Sequence, residues 1–375
     1  DWSSDVCSSD LEDSLKPRTV YVPIPPPEMP GRRGRGMMRP PTDSIPMMTM
    51  APDPLGRLKA VATDTASSME YYSTLFGPPA IKHVTVAPIP GTFGQGFPGL
   101  VYISTIAYLD PNDRPAALRN AREQIFYSDL IVPHEAAHQW WGSVVTIEQS
   151  ADGWLLEGLA NYSALMWLEK KKGPKEVQQV LDGYRNELLN NSSGKGTPES
   201  AGPIVWGDRL TMSEIPDAWR TITYGKGTWI LHMLRKRMGD ERFISMLAEL
   251  RKRYEFKVLT TENFRALAVE FRPKGLSVES MEAFFDNWVY STGVPTLKIK
   301  STTKPGTATF TVSGTVEQTG VDEDFSADIP IDIQLGRGAT QTIWVRSTGG
   351  ETPFSATLKQ PPVKVAISDD VLAKK

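Results

Sequence analysis

The stretch His134-Glu135-Ala136-Ala137-His138 decides the fold, and Glu157 follows His138 with eighteen residues between them. In a helix, residues four apart lie on one face, so both imidazoles can reach a single metal ion. Glu135 lies about 100° further round the helix and points toward the water that a general base must activate in peptide hydrolysis. Two histidines and Glu157 leave a fourth coordination position open, which is typical of a catalytic zinc site.

An accidental match to His-Glu-x-x-His is the alternative interpretation. The chain has only four histidines in 375 residues, so chance would produce the pattern in roughly one of several hundred such chains. Glu157 makes chance a still weaker explanation. The sequence therefore predicts one zinc ion per chain, held by His134, His138 and Glu157. The remaining histidines, His83 and His232, lie in apolar surroundings and are interpreted as packed or exposed side chains.

Three separated motifs resemble the gluzincin aminopeptidases, the aminopeptidase N-like zinc metallopeptidases. They are the stretches 134–142, 154–158 and 224–227, and the resemblance covers about residues 18–300. It implies an α+β fold with a thermolysin-like catalytic domain, mostly helical after the zinc motif, followed by a small β-sandwich domain. It also implies a zinc cofactor, a peptide substrate and aminopeptidase-like hydrolysis of peptide bonds.

Tyr224 is a candidate oxyanion donor. Negative charge grows on the former carbonyl oxygen during zinc-dependent peptide hydrolysis, and a phenol facing the metal can stabilise that charge. The resemblance assigns this role to the tyrosine of a Tyr-x-Lys-Gly pattern, which Tyr224-Gly225-Lys226-Gly227 matches. Without the resemblance, one tyrosine among eleven would more often be a packing residue.

The upstream stretch 93–100 departs from the family pattern. Family members carry Gly-Ala-Met-Glu-Asn-Pro-Gly-Leu, whose glutamate binds the free α-amino group of the substrate, whereas this chain reads Phe-Gly-Gln-Gly-Phe-Pro-Gly-Leu. Gly96 takes the position of that glutamate. Gln95 can offer its amide to a substrate, and the glycines permit close backbone approach. The alternative is a plain glycine loop between strands. Gly96→Glu is expected to favour free amino termini if the backbone accepts the side chain.

Two further readings of function follow from this departure. The enzyme can be an endopeptidase, since a missing amine anchor weakens the case for attack at a free amino terminus. A catalytically silent interaction scaffold with the gluzincin fold is the alternative from a different class. Retention of both Glu135 and Tyr224 argues against a scaffold, which needs neither.

Composition excludes several classes of protein. The chain is 40% hydrophobic and 23% charged, which is ordinary for a soluble globular protein. Its net charge of -3 gives no electrostatic reason to expect nucleic acid as a partner. No apolar run approaches the roughly 20 residues of a transmembrane helix. The single cysteine excludes a disulfide within the chain and leaves the compartment open.

The organisation along the chain is predicted in three parts. Residues 1–11 resemble a translated sequencing adaptor or form a disordered tail, so the N-terminus is read as truncated and an extracytoplasmic location stays open. The zinc peptidase domain is predicted over 12–293. Within it, 23–54 is a Pro/Met-rich mobile insertion that sustains no strand pairing. The β-sandwich domain is predicted over 294–375.

Periodicity and capping residues predict the individual elements. Asp129 is expected to cap a helix over 130–141 and so to bring Pro133 into its first turn, while Asp152 caps a helix over 153–172. Asn161, one turn after Glu157, is a candidate hydrogen-bond partner of a metal ligand. Strands are expected at 18–22, 81–87, 100–105, 296–300, 307–314, 326–334, 341–346, 354–358 and 363–367, helices at 56–75, 115–127, 175–191, 223–238, 240–254, 261–271 and 278–290, and a loop at 192–210.

Overall fold

The structure, a computed structural model, describes residue 16, Thr19–Pro23, Ser44–Met48 and residues 51–375. The predicted tail 1–11 and most of the predicted insertion lie outside these residues. Strands β1 (Thr19–Pro23) and β2 (Ser44–Met48) pair antiparallel, with Tyr21 opposite Pro46. The prediction that the Pro/Met-rich stretch sustains no pairing is therefore wrong at its carboxyl end. A two-stranded ribbon has only edge positions, and these tolerate a proline.

A helix and a small three-stranded sheet precede the zinc motif. Helix α1 is Leu58–Phe76, and the strands are β3 (Thr85–Ile89), β4 (Gln95–Phe97) and β5 (Leu100–Ser104). The sheet order is β3-β5-β4, with β3 parallel and β4 antiparallel to β5. The glycine-rich stretch thus contributes an edge strand, β4, rather than a plain loop.

The described chain from residue 105 to residue 288 is mainly helical. Predicted helices at 153–172, 240–254 and 261–271 agree with the structure to within one residue. Two short strands, β6 (Val145–Thr146) and β7 (Lys257–Val258), pair in parallel. The helices are α2 (Thr105–Tyr108), α3 (Ala121–Ile125), α4 (Ile131–Ala137), α5 (Gly153–Lys172), α6 (Pro174–Leu188), α7 (Ala218–Arg220), α8 (Gly227–Met238), α9 (Asp240–Arg253), α10 (Thr261–Glu270) and α11 (Val278–Trp288).

Two π-helical turns interrupt this helical part. The first π turn, Phe126–Leu130, joins α3 to α4, and the second π turn, Thr221–Lys226, joins α7 to α8. In the first, the Ile131 N–H donates to the Phe126 carbonyl; in the second, the Gly227 N–H donates to the Ile222 carbonyl. Such five-residue spacing is rare and is found frequently at functional sites. Here the two turns lead into the zinc motif and carry Tyr224.

The first π turn corrects the predicted start of the zinc-motif helix. Asp129 lies inside this turn and does not cap a helix; its carboxylate instead binds the Lys172 ammonium at 2.6 Å. Pro133 therefore lies within a continuous helical run. A proline ring collides with the preceding turn of a regular α-helix and removes one N–H donor. The wider turn immediately before Pro133 accommodates both effects.

The helix predicted over 115–127 is divided. A 3-10 turn at Ala116–Leu118 ends before Asn120, whose side chain accepts the Glu123 N–H at 3.0 Å and begins α3. Asparagine is a strong N-cap residue, so it starts a new helix rather than continuing an old one. The loop predicted over 192–210 contains 3-10 turns at Pro198–Ala201 and Ile204–Met212.

The carboxyl-terminal part contains two three-stranded antiparallel sheets. The strands are β8 (Thr296–Pro305), β9 (Phe310–Thr319), β10 (Ala327–Leu335), β11 (Thr340–Ser347), β12 (Gly350–Leu358) and β13 (Pro362–Ile367). The sheet orders are β12-β9-β8 and β11-β10-β13, and neighbouring strands in both sheets run antiparallel. The predicted rhythm of short strands is confirmed, whereas the domain limits 12–293 and 294–375 stay a prediction.

One large hydrophobic core connects the helical part with these two sheets. At their junction, the ring of Trp288 packs edge-on against Phe325, with centroids 5.1 Å apart. A second cluster lies under the small sheet and includes Val101 and Ile103 from β5 and Ile131 from α4. This packing fixes β5, and through it β4, against the zinc-motif helix. Among the residues described, no helix has both the length and the apolar character needed to cross a bilayer.

Candidate active site

The structure brings the three predicted metal ligands together. His134 lies on α4 and His138 caps its end, so their Nε2 atoms face each other at 3.2 Å. Glu157 lies in the second turn of α5, which packs against α4. Its Oε2 atom is 3.5 Å from Nε2 of His134 and 3.6 Å from Nε2 of His138.

This geometry matches a tetrahedral zinc site. Ligand atoms about 2.0–2.1 Å from a tetrahedral ion lie roughly 3.3–3.4 Å from each other, close to the observed 3.2, 3.5 and 3.6 Å. Among the residues that the structure describes, the buried Oε2 atom of Glu157 has no hydrogen-bond partner, a situation that a bound cation resolves. Burial alone lowers the pKa of His138, but the neighbouring Glu157 raises that pKa to about 9. The cluster therefore favours positive charge.

A backbone carbonyl orients one of the ligands. Nδ1 of His138 lies 2.7 Å from the Trp141 carbonyl oxygen, so a proton on Nδ1 is donated there and Nε2 presents its lone pair to the cluster. The Trp141 indole in turn donates to Ser163 Oγ on α5 at 3.1 Å. A single sequence does not show which carbonyl a histidine will reach, so this role of Trp141 was not predicted.

Glu135 is buried against the glycine-rich strand. A Cβ atom at Gly94 would lie 2.5 Å from Oε1 of Glu135, so only glycine leaves room for the carboxylate. The Gly96 N–H donates a hydrogen bond to that carboxylate. Burial raises the pKa of Glu135, which makes its carboxylate a better proton acceptor, as a general base requires.

The same strand corrects the expectations for Gly96 and Gln95. A Cβ at Gly96 would lie 2.6 Å from the Glu135 carbonyl oxygen and 2.6 Å from Cβ of His138, so Gly96→Glu cannot be accommodated without moving the helix. Gly96 contacts the site through its backbone N–H alone. Side chains alternate along a strand, which places the exposed Gln95 on the face away from Glu135. The contact between the Gln95 amide and a substrate stays a prediction.

Gln139 holds the glycine-rich strand in place. Its Nε2 donates to the Phe97 carbonyl oxygen at 2.8 Å, and its Oε1 accepts the Gly99 N–H at 2.9 Å. The amide thereby imitates a neighbouring strand residue at the end of β4. This role was not predicted; the signal for it in the sequence is the position of Gln139 immediately after the zinc motif.

Replacing Gln139 by methionine is expected to lower the free energy of unfolding by about 1–3 kcal/mol, because the Phe97 carbonyl and Gly99 N–H lose their partner. Equilibrium unfolding in urea measures the change. Gln179, an exposed residue of α6, provides the matched control, and Gln179→Met should shift stability by less than about 0.5 kcal/mol. Equal stability of the two variants would contradict the bracing role.

Tyr224 lies beside the metal cluster, within the second π turn. Its ring centroid is 5.9 Å from that of His134 and 6.0 Å from that of Trp219. Its hydroxyl hydrogen-bonds with Glu157. Burial raises the pKa of Tyr224 well above its ordinary value, so the side chain is a neutral phenol at physiological pH. It is thus available as a hydrogen-bond donor next to the cluster.

Two polar residues of α5 have partners other than those expected. The amide nitrogen of Asn161 donates to Tyr184 at 3.0 Å and to Thr228 at 2.8 Å rather than to a metal ligand. Asp152 lies at the N-cap position, but its carboxylate accepts two hydrogen bonds from Thr261, both at 2.7 Å. Both side chains hold α5 against neighbouring helices.

A cavity of about 730 Å³ is bordered by the first π turn and by Arg220, which immediately precedes the second π turn. Its apolar wall includes Phe126 and Leu130, one turn before His134. Its polar rim includes Arg220, one turn before Tyr224, and Glu187 from α6. Residues that precede both the zinc motif and Tyr224 therefore line one space with room for a peptide side chain.

Residues 70–288, more than half of the chain, match the family model described as "Peptidase family M1 domain". The fold and the His-His-Glu cluster are those of a gluzincin metallopeptidase. The chain belongs to peptidase family M1. This finding confirms the predicted resemblance to the gluzincin aminopeptidases.

Curated relatives are similar over part of their length. Aminopeptidase N of Lactococcus lactis subsp. cremoris is 26% identical over 227 residues, which cover 60% of this chain and 25% of that protein. Glutamyl aminopeptidase of Sus scrofa is 28% identical over 287 residues, which cover 76% of this chain and 29% of that protein. The chain therefore spans about a quarter of the length of these relatives.

A solved structure supports the fold. The crystal structure of Legionella pneumophila aminopeptidase A in complex with aspartic acid superposes with a TM-score of 0.62 at 19% sequence identity. The match covers 96% of this chain and 38% of that chain. At this identity the likeness shows the fold alone, and it agrees with the predicted thermolysin-like architecture.

Proposed function

We propose that this protein is a zinc-dependent peptidase with aminopeptidase-like activity. The observation that carries the proposal is the convergence of His134, His138 and Glu157 on one point, with Glu135 and Tyr224 beside it. Zinc in such a site polarises a carbonyl and lowers the pKa of a water molecule. Membership of peptidase family M1 and the aminopeptidase relatives support the same chemistry.

In this proposal Glu135 is the general base. Its carboxylate takes a proton from the attacking water and returns it to the nitrogen of the departing amine. Gly94 leaves room for the carboxylate, and the Gly96 N–H orients it. Its raised pKa assists the first transfer, because it makes the carboxylate a stronger base toward the attacking water.

Tyr224 stabilises the carbonyl oxygen of the scissile bond as negative charge develops there. Its phenol is neutral and lies next to Glu157 and the His134 ring. A peptide substrate reaches this point along the free edge of β4, where backbone pairing holds an extended chain. The apolar wall of the 730 Å³ cavity takes a substrate side chain.

Peptides with a free amino terminus are expected to be hydrolysed only slightly faster than peptides with a blocked one. The stretch 93–100 places no carboxylate near Gly96 to pair with an ammonium, and an unpaired buried ammonium is unfavourable. We expect the ratio of kcat/KM for free and N-acetylated peptides of identical sequence to be much smaller than in a typical aminopeptidase. A Glu135→Gln preparation purified in parallel reports contaminating peptidases.

Three outcomes of this assay are informative. Hydrolysis of both peptides supports a peptidase without strict need for a free amino terminus, the endopeptidase alternative included. Strict dependence on the free amino terminus would show that another residue of the chain anchors the amine. Absence of hydrolysis by zinc-loaded protein would contradict the peptidase proposal and favour the interaction scaffold.

A further inference from the structure

Lys226 places a buried ammonium group immediately after Tyr224, at the end of the second π turn. Its Nζ lies 2.9 Å from Oε1 of Glu199 and 3.1 Å from the Ser291 carbonyl oxygen. The same Oε1 accepts the Gly293 N–H at 2.8 Å. One ion pair therefore joins the turn of Tyr224 to two loops that are distant in the sequence.

The Lys226–Glu199 ion pair is fully enclosed, with 0% and 5% of the two side chains exposed. Removing two charges from water costs several kcal/mol for each ion, and apolar pairs of similar volume are often as stable as such an ion pair. Stability alone is therefore a poor explanation for it. Directed hydrogen bonds to a carboxylate and a carbonyl fix position more narrowly than apolar contacts do.

Lys226 and Tyr224 point to opposite sides of the second π turn. Residues two apart in a helical turn point to nearly opposite sides, about 200° apart. Tyr224 faces the metal cluster, where its hydroxyl meets Glu157, whereas Lys226 reaches Glu199 and Ser291 behind the turn. The ion pair thus holds the turn from the side opposite the phenol.

We propose that Lys226, together with Glu199, is a positioning residue that fixes the second π turn so that the Tyr224 hydroxyl meets the reacting carbonyl. This inference rests on the proposed function of Tyr224. It assigns to the lysine of the Tyr-Gly-Lys-Gly stretch an indirect role in the rate of hydrolysis. Lys226 itself touches neither the cluster nor the substrate.

Lys226→Met is expected to lower kcat by about 10–100-fold, the scale of a misplacement near 1 Å. KM and zinc content should stay close to those of the unmodified protein, because the metal ligands and the β4 edge are untouched. Arg235→Met is the matched control, since Arg235 is also a buried cation on the same helical run, bound to Glu169 and Asp240. It should lower stability and leave kcat intact.

A double variant separates positioning from stability. Lys226→Met combined with Glu199→Leu replaces the ion pair by apolar side chains and is expected to recover the melting temperature lost in the single variant. The proposal predicts that kcat stays low in this folded double variant. Recovery of kcat together with the melting temperature would overturn it.

Adding Lys226→Met to the Tyr224→Phe variant provides a second test. If Lys226 acts through the Tyr224 hydroxyl, Lys226→Met should lower kcat by less than about twofold once that hydroxyl is absent, a non-additive result. Full multiplication of the two losses would overturn the proposal, because Lys226 would then act independently of Tyr224.

Failure of the proposed function would be recognised separately, as absence of hydrolysis by the unmodified protein. In that case, ¹⁹F NMR of a fluorotyrosine at position 224 reports the position of the ring directly. Lys226→Met is expected to shift or broaden this signal, and Arg235→Met should leave it unchanged. An unaltered signal in Lys226→Met would overturn the positioning role whether or not the protein is a peptidase.

Discussion

Replacing Glu135 by glutamine is expected to lower kcat by two to four orders of magnitude while zinc stays bound. The amide keeps the shape of the side chain but cannot accept the proton of the attacking water, and a lost general base costs about 10²–10⁴ in rate. Glu135 is not one of the three clustered groups, so metal content should not change. Steady-state kinetics and metal analysis on the same preparation measure both quantities.

A companion variant checks that the effect of Glu135→Gln comes from proton transfer. Glu148→Gln alters a carboxylate on the chain between the zinc motif and α5, outside the cluster, and should leave kcat within about twofold, as surface substitutions usually do. Near-normal turnover by Glu135→Gln itself would show that another group activates the water.

Replacing Tyr224 by phenylalanine is expected to lower kcat by about 10²–10³, the loss for one oxyanion donor. The ring keeps its packing against His134 and Trp219, so KM and zinc content should change little. The pKa of Tyr224 is raised well above its ordinary value. Because the phenol stays protonated on both sides of neutral pH, its loss should lower the rate by a similar factor from pH 6 to pH 9.

Tyr162→Phe is the matched control for Tyr224→Phe. Tyr162 is also buried, but its hydroxyl contacts Nδ1 of His232 at 3.2 Å, away from the cluster. We expect it to leave kcat within about twofold and to change stability modestly. An effect of Tyr224→Phe confined to KM would reject the oxyanion role, because the interaction would then be equally strong in the ground state.

The metal cluster could be predicted from the sequence because its two histidines belong to one short motif. Four-residue spacing on a helix determines where His134 and His138 point. The limits 153–172 predicted for α5 match the observed ones, and Gly173, with φ of 103°, follows the helix at a position that favours glycine. Glu157 then meets the histidines through the packing of α5 against α4, although α4 begins after a π turn and not at a cap on Asp129.

Other features depend on distant partners, which a single sequence does not reveal. Aspartate is a preferred N-cap residue, but Asp129 forms an ion pair with Lys172, 43 residues later. Gln139 braces Phe97, 42 residues earlier, and Lys226 pairs with Glu199, 27 residues earlier. The side-chain directions on β4 likewise depend on how the strand packs against Glu135.

Titrating metal-free protein with zinc while measuring peptide hydrolysis tests the central claim most directly. Three ligand atoms converge on one point, and their histidines must be deprotonated to bind, so uptake should release protons and weaken as pH falls. The account predicts that the metal-free protein is inactive and that the rate rises linearly until one zinc is bound per chain. Full activity in the metal-free protein, or zinc uptake at one equivalent without any hydrolysis, would contradict it.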